Sequence, residues 1–102
     1  MLCSEYETII ALRPDVSGDV IEGVLDRVRS VISGESASKL LEFEHCGRRR
    51  LAYEIERHTR GVYVRIHYLA PTTMIHELER QLRISDVVLR FLTVKMAERV
   101  SL

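Results

Sequence analysis

The order of hydrophobic and polar residues predicts six regular elements. β-Branched, aromatic or alternating segments predict strands over residues 6–12, 39–55, 62–69 and 87–96. Apolar residues at helical spacing predict one helix after Ser17 and up to Gly34, and a second opening at Pro71. The predicted order is β-α-β-β-α-β within a single domain covering residues 1–102.

This order is that of the ferredoxin-like split βαβ motif. It predicts an α+β fold in which a four-stranded antiparallel sheet carries two helices on one face. The other face of the sheet is left for a partner. Enzymes, ligand sensors and RNA-binding proteins all use this topology, so the function has to be argued from particular residues.

A glycine interrupts the alternation of the second predicted strand. Phe43 lies on the inward side of the pattern, and Gly47 predicts a bulge or bend. Beyond the glycine, we expect the same alternation to resume with three apolar residues facing inward: Leu51, Tyr53 and Ile55.

Arginines follow this glycine directly. In a strand, Arg48 and Arg50 share one face and Arg49 takes the other. A guanidinium fork holds two phosphate oxygens at once, so the run is a candidate RNA contact. A polar turn over residues 56–61 continues it with Arg57 and Arg60. Ordinary solvated surface is the competing interpretation.

A second basic cluster spans the second helix and the last strand. Arg83 and Arg90 flank the loop between these elements, so we expect them to converge in space, with Arg80 and Lys95 nearby. Helix-end and surface charges would explain the same residues equally well.

Charge is unevenly divided although the total is zero. Residues 1–44 contain 4 basic and 9 acidic side chains, whereas residues 45–102 contain 11 basic and 6 acidic ones. A neutral chain can therefore present a basic face to nucleic acid. No apolar run reaches the length of a membrane helix, and no secretory signal opens the chain.

Enzyme and cofactor motifs are missing from the sequence. The two cysteines, Cys3 and Cys46, form no C-x-x-C pair, and the four histidines show no metal-ligand spacing. No glycine-rich phosphate loop is present. Acylphosphatases share the topology, but their arginine-bearing loop is replaced here by Arg13-Pro14-Asp15. We expect no catalytic residues, no metal and no cofactor.

Several segments together resemble the bacterial-type small-ribosomal-subunit protein six family over nearly the whole chain. Each segment is short, and their order and spacing make the combination specific. The wording is closest to cyanobacterial and plastid members. The segments are Tyr6-Glu7-Thr8, Leu12-Arg13-Pro14-Asp15, Gly47-Arg48-Arg49-Arg50-Leu51-Ala52-Tyr53-Glu54-Ile55, Gly61-Val62-Tyr63, the stretch from Leu78 to Asp86, Val88-Leu89-Arg90 and Val94-Lys95.

The resemblance implies a structural, non-enzymatic protein of a ribosome in a bacterial cytoplasm or an organelle such as the plastid. It implies binding to small-subunit ribosomal RNA together with small-subunit ribosomal protein eighteen. By the same resemblance, the strand with the arginine run serves partner contacts as well as RNA, and Arg49 and Tyr63 are the expected contacts to the protein partner. The expected RNA contacts are Arg83, Arg90, Lys95, Arg57, Arg48 and Arg50.

Two departures from the family pattern change these expectations. Ser4-Glu5 precede Tyr6 where many members carry basic residues, which weakens an N-terminal RNA contact. The sequence stops at Leu102 where many members continue into a charged tail, so either partner binding depends more on the sheet or the tail lies outside this sequence. The alternatives are a ligand-sensing domain that dimerises through its open sheet and a small acylphosphatase-type enzyme.

Overall fold

The computed structural model describes the backbone of residues 2–34 and 38–101, and the side chains of residues 3–34 and 38–96. Leu102, on which the expectation about a tail depends, lies outside them. The elements follow the predicted order β-α-β-β-α-β. They are β1 (Leu2–Leu12), α1 (Gly18–Gly34), β2 (Lys39–Ile55), β3 (His58–Ala70), α2 (Thr72–Ile84) and β4 (Val88–Ser101).

The four strands form one antiparallel sheet in the order β2-β3-β1-β4. Both helices pack on the same face, where residues from α1, α2 and the strands form one core. The predicted ferredoxin-like fold is therefore confirmed. We call the uncovered side of the sheet the open face; in β1 and β3 it carries Glu5, Glu7, Ile9, Ala11, Tyr63, Arg65, His67 and Leu69.

Local sequence signals explain both helix starts. The Ser17 hydroxyl accepts a hydrogen bond from the Val20 amide at 3.4 Å, as expected of an N-cap residue. Pro71 occupies the N-cap position of α2, where its missing N–H costs nothing. Helical spacing then buries four side chains of each helix: Val24, Leu25, Val28 and Ile32 in α1, and Met74, Ile75, Leu78 and Leu82 in α2.

A buried polar network sits within this core. Thr8, on the central strand β1, hydrogen-bonds with the Tyr68 hydroxyl at 2.8 Å and with Thr93 at 2.9 Å. Thr8 and Tyr68 are fully buried. Burial raises the pKa of Tyr68 to about 12, and the hydrogen bonds from the two threonines oppose this effect. The network connects β1, β3 and β4 without leaving these hydroxyls unpaired.

A bulge in β2 overturns the predicted facing of its second half. His45 pairs with Val64 but Gly47 pairs with Tyr63, so Cys46 is an extra residue, and Gly47 adopts φ 79°. The predicted bulge is confirmed, but one inserted residue exchanges the two faces of everything after it. Leu51 consequently lies on the open side, opposite to Phe43.

The expected inward position of Tyr53 was likewise wrong, since its side chain is 61% exposed. Besides the bulge, the β2–β3 register shifts between the Arg50↔Arg60 and Ile55↔His58 pairs. Residues 51–54 therefore face only Thr59, and regular alternation does not apply there. The register does confirm that Arg48 and Arg50 share one side and that Arg49 takes the other.

The turn of this hairpin is shorter than the six-residue segment predicted. Only Glu56 and Arg57 connect the strands, with φ 48° and 70°. Positive φ at both central residues suits the twist of a two-residue hairpin. Such turns are usually marked by Asn-Gly or Asp-Gly, which this sequence lacks. Residues 58–61 extend beyond the end of β1, because Leu12 pairs with Val62.

The Tyr68 hydroxyl makes stability depend on alkaline pH. The pKa of Tyr68 is higher in the folded state than in the unfolded state, where it is about 10. The contribution of this hydroxyl to the free energy of unfolding is therefore complete below pH 10 and is lost as pH rises toward about 12. Replacing Tyr68→Phe should cost roughly 1 kcal/mol at pH 8 through the lost hydrogen bond. Because the unmodified chain alone loses about 2 kcal/mol of stability between pH 8 and pH 12, urea denaturation should show the difference reversing sign, with Tyr68→Phe the more stable by about 1 kcal/mol at pH 12. Parallel pH profiles would contradict the assignment.

Two substitutions should relieve the backbone strain in this turn. Glu56→Asn combined with Arg57→Gly should raise the free energy of unfolding by about 1 kcal/mol, because both new residues tolerate positive φ. The control is Glu56→Ala combined with Arg57→Ala, which removes the same two charges but keeps a β-carbon at both positive-φ positions and should leave stability nearly unchanged. Urea denaturation of both variants distinguishes strain from charge; equal stabilities would contradict this turn geometry.

Candidate nucleic-acid interface

Carboxylates occupy the open face at the β2 and β3 side of the sheet. Arg65, central among them, donates to Glu7 at 2.6 Å and to Glu44 at 3.2 Å, and also contacts Glu42. These bonds raise the pKa of Arg65, that to Glu7 most strongly. His67 contacts Glu5 in the same way. This part of the face is acidic, and its one arginine is already neutralised.

An apolar strip occupies the β4 side of the same face. Leu92, Val94 and Met96 are exposed by 53%, 45% and 53%. Leu92 pairs with Ile9 of β1 on this face, and Val94 pairs with Glu7. Leu92 and Ile9 also line a hollow together with Ala11, Tyr63, Arg90 and Phe91. Exposed neighbouring apolar side chains of this kind are typical of a protein contact.

The β2–β3 hairpin folds across the open face at the other end of the sheet. Leu51 is buried, and a β-carbon on Gly61 would lie only 3.3 Å from Leu51 Cδ2. The absence of that carbon allows Leu51 to close over Gly61. Tyr53 then reaches β4, where its hydroxyl accepts a hydrogen bond from Arg90 Nη1 at 3.2 Å and its ring lies 5.4 Å from the Arg90 guanidinium carbon.

The arginines divide into two groups by their partners. Arg80, for example, bonds to Glu77 and lowers the pKa of that carboxyl to about 2. Arg83 reaches Glu79 only at 4.0 Å and is 60% exposed. The arginines that lie within 4.0 Å of a carboxylate are Arg13, Arg29, Arg65, Arg80 and Arg83.

The second group lies almost entirely on the hairpin. Apart from Arg27 in α1, the arginines with no carboxylate partner among side chains 3–34 and 38–96 are Arg48, Arg49, Arg50, Arg57, Arg60 and Arg90. Arg48 and Arg49 donate instead to the carbonyls of Pro14 and Cys46. A backbone carbonyl carries no full negative charge, so it leaves the charge of the guanidinium group uncompensated. This end of the molecule is therefore positively charged.

We define the hairpin end as residues 47–61 together with Arg83 and Arg90. Residues 47–61 contain five arginines and two glutamates. Arg83 joins the turn from the helix side, where it lines one hollow with Glu56, Arg13 and Asp86. Arg90 joins it from the open face through Tyr53. Of the predicted RNA contacts, Arg48, Arg50, Arg57, Arg83 and Arg90 are thus brought to one end of the molecule.

Arg83 and Arg90 were expected to converge in space, but they lie on opposite sides of the sheet. Arg90 pairs with Ala11 on the open face, whereas α2 carries Arg83 on the helix side. They line separate hollows, and only the hairpin connects them. Lys95 is more distant: it pairs with Tyr6 on the helix side, with Nζ 6.0 Å from the Tyr6 ring.

The two expected partner contacts lie on the open face. Tyr63 lines the apolar hollow with Arg90, and Arg49 pairs with Gly61 in the part of the hairpin that folds over this face. The sequence reasoning did not single out Arg60 as a site residue, although its pairing with Arg50 makes it part of the same surface. The pairing follows from the register of the hairpin, in which Arg49 faces Gly61, and no local sequence pattern indicates that register.

The described residues give little support for a disulfide, a reactive cysteine or a metal site. Cys3 and Cys46 form no disulfide. Burial, followed by the hydrogen bond to Glu44, raises the pKa of the Cys46 thiol. A raised pKa disfavours the thiolate, which is the form that a cysteine nucleophile needs. Within ranges 2–34 and 38–101, no three His, Cys, Asp or Glu side chains are grouped to hold a metal ion, and no helix is long and apolar enough to cross a membrane.

Comparison with known proteins gives consistent matches. The model of the family described as ribosomal protein S6 matches residues 5–95. The small ribosomal subunit protein bS6 of Gloeobacter violaceus is 40% identical over 94 residues, which cover 92% of this chain and 97% of that protein. The bS6 protein of Nitratidesulfovibrio vulgaris strain Miyazaki F is 41% identical over 96 residues, or 94% of each chain.

A solved structure agrees with the sequence matches. The crystal structure of 30S ribosomal protein S6 from Thermotoga maritima superimposes with a TM-score of 0.84 at 27% identity, covering 91% of this chain and 87% of that one. The resemblance found from the sequence segments is confirmed, and cyanobacterial proteins are among the relatives. The chain therefore belongs to the ribosomal protein S6 family of structural, non-enzymatic proteins of the small ribosomal subunit.

Proposed function

We propose that this chain binds small-subunit ribosomal RNA jointly with small-subunit ribosomal protein eighteen, and that the hairpin end is the RNA contact. The observation that supports this most directly is the distribution of ion pairs. Carboxylates 2.6–2.8 Å away neutralise Arg29, Arg65 and Arg80. The arginines of the hairpin have no carboxylate partner among the described side chains, and Arg83 has only a distant one, Glu79 at 4.0 Å. A phosphate can bind these arginines without displacing a carboxylate.

Affinity in this proposal comes from phosphate contacts and so depends on salt. The assigned RNA contacts are Arg48, Arg50, Arg57, Arg83 and Arg90. Lys95, which lies away from the hairpin end on the helix side, is retained as a separate contact near Tyr6. Among the side chains of residues 3–34 and 38–96 there is no array of exposed aromatic rings for base stacking. Tyr6 and Tyr68 are buried, Tyr53 is bonded to Arg90, and the half-buried Tyr63 lines the apolar hollow. Specificity then arises from RNA shape and from the geometry of the joint complex.

The open face is assigned to the protein partner. The exposed apolar strip of Leu92, Val94 and Met96 offers burial, and the hollow lined by Tyr63 offers a socket for a side chain. The carboxylates beside Arg65 favour a basic protein surface next to this strip. Arg49 contributes from the overlying hairpin.

Removing two of the assigned contacts tests the RNA surface. Arg83→Ala with Arg90→Ala should weaken binding to the central domain of small-subunit ribosomal RNA, in the presence of the protein partner, by about tenfold or more. The slope of log affinity against log salt should fall by about 1 to 2, since each arginine contributes one phosphate contact. Filter binding across a salt series measures both quantities, and circular dichroism checks that the fold is intact.

The matched control is Arg29→Ala with Arg80→Ala. It makes the same change in net charge at arginines that already have carboxylate partners. The control should change affinity by less than about threefold. Equal losses in the two double variants would mean that total charge, and not the hairpin end, determines binding, which would overturn the proposed site.

A further inference from the structure

Arg50 and Arg60 lie directly opposite each other in the β2–β3 hairpin. Directly opposed residues in an antiparallel pair have β-carbons roughly 5 Å apart, and like charges at such positions are destabilising. Neither guanidinium group has a hydrogen bond or an ion pair with the described residues. The repulsion is therefore not relieved within the described part of the chain.

The surroundings of this pair keep it accessible. Both side chains are exposed, and both lie beyond the point where β1 supports the hairpin, because Leu12 pairs with Val62. Next to Arg50, the widened part of β2 opens a hollow that is lined by Leu51, Tyr53, Glu54 and Thr59 as well as by Arg50 itself. Glu54 lies on the rim of this hollow without forming an ion pair to Arg50 within 4.0 Å.

The geometry points to a phosphate clamp: Arg50 and Arg60 together hold one phosphodiester group of the RNA backbone between them. Each guanidinium offers a planar fork to two oxygens, and one phosphate is large enough to accept from both. An anion placed between two like charges replaces their repulsion with two attractions. The hairpin is then less stable without RNA than with it. This inference rests on the proposed function and adds Arg60 to it.

A shared phosphate has a signature that two independent contacts lack. Removing either arginine weakens the clamp, and removing the second then costs much less. In the free protein the sign is reversed, because removing either arginine relieves the repulsion. Arg50→Gln and Arg60→Gln suit this test, since glutamine keeps much of the side-chain length while deleting the charge. Arg27→Gln is the matched control, an exposed arginine on α1 that also has no described partner.

The first measurement is RNA affinity in a double-mutant cycle, using the ribosomal RNA central domain with the protein partner at fixed salt. Each single variant should lose about tenfold, and the double variant no more than about threefold beyond the weaker-binding single variant. Arg27→Gln should stay within about twofold of the unmodified chain. Additive losses, or losses no larger than that of Arg27→Gln, would overturn the clamp.

The second measurement is thermal unfolding of the free protein. At low salt, each single variant should raise the melting midpoint by about 1–5 °C, and added salt should erase the gain. A lowered midpoint in both variants would contradict the unrelieved repulsion. If the unmodified chain fails to bind the RNA with its partner, the proposed function itself fails. If it binds and depends on Arg83 and Arg90 but not on Arg50 and Arg60, only the clamp fails.

Discussion

The extra residue at Cys46 determines how this surface is arranged. Because Gly47 follows it with φ 79°, the strand continues while its two sides are exchanged. Leu51 is thereby directed toward the open face, where it packs over Gly61, and beyond the next register shift Tyr53 meets Arg90 on the same face. Without the bulge, alternation would direct Leu51 toward the helix side, away from Gly61.

Ion pairing turns a chain of zero net charge into one with distinct acidic and basic regions. Carboxylates surround Arg65 in the middle of the open face, while the hairpin has few acidic residues of its own. Exposed ion pairs of this kind add little to stability. Their consequence here is local: they remove some arginines from competition for a ligand and leave others available. The proposed function uses that division, with the basic region assigned to RNA and the acidic and apolar regions assigned to a protein partner.

The sequence alone was sufficient for the element order, the fold and the family, since these depend on long periodic patterns and several spaced segments. It was insufficient for the hairpin. Gly47 indicated a bulge, but only the register shows that Cys46 is inserted and that Leu51 therefore changes sides. The turn at Glu56 and Arg57 lacks the usual turn residues, so its length was overestimated. The ion-pair partners of Arg65 come from two other strands, β1 and β2, which no local pattern reveals.

We propose that this protein presents the hairpin end, held across the open face, to RNA. Ultraviolet crosslinking of intact small subunits, followed by mass spectrometry of RNA-linked peptides, tests it most directly. The account predicts crosslinks within residues 47–61 and around Arg90, and none at Glu42, Glu44 or Arg65. RNA crosslinks confined to the carboxylate side of the open face or to α1, with residues 47–61 unmodified, would contradict it.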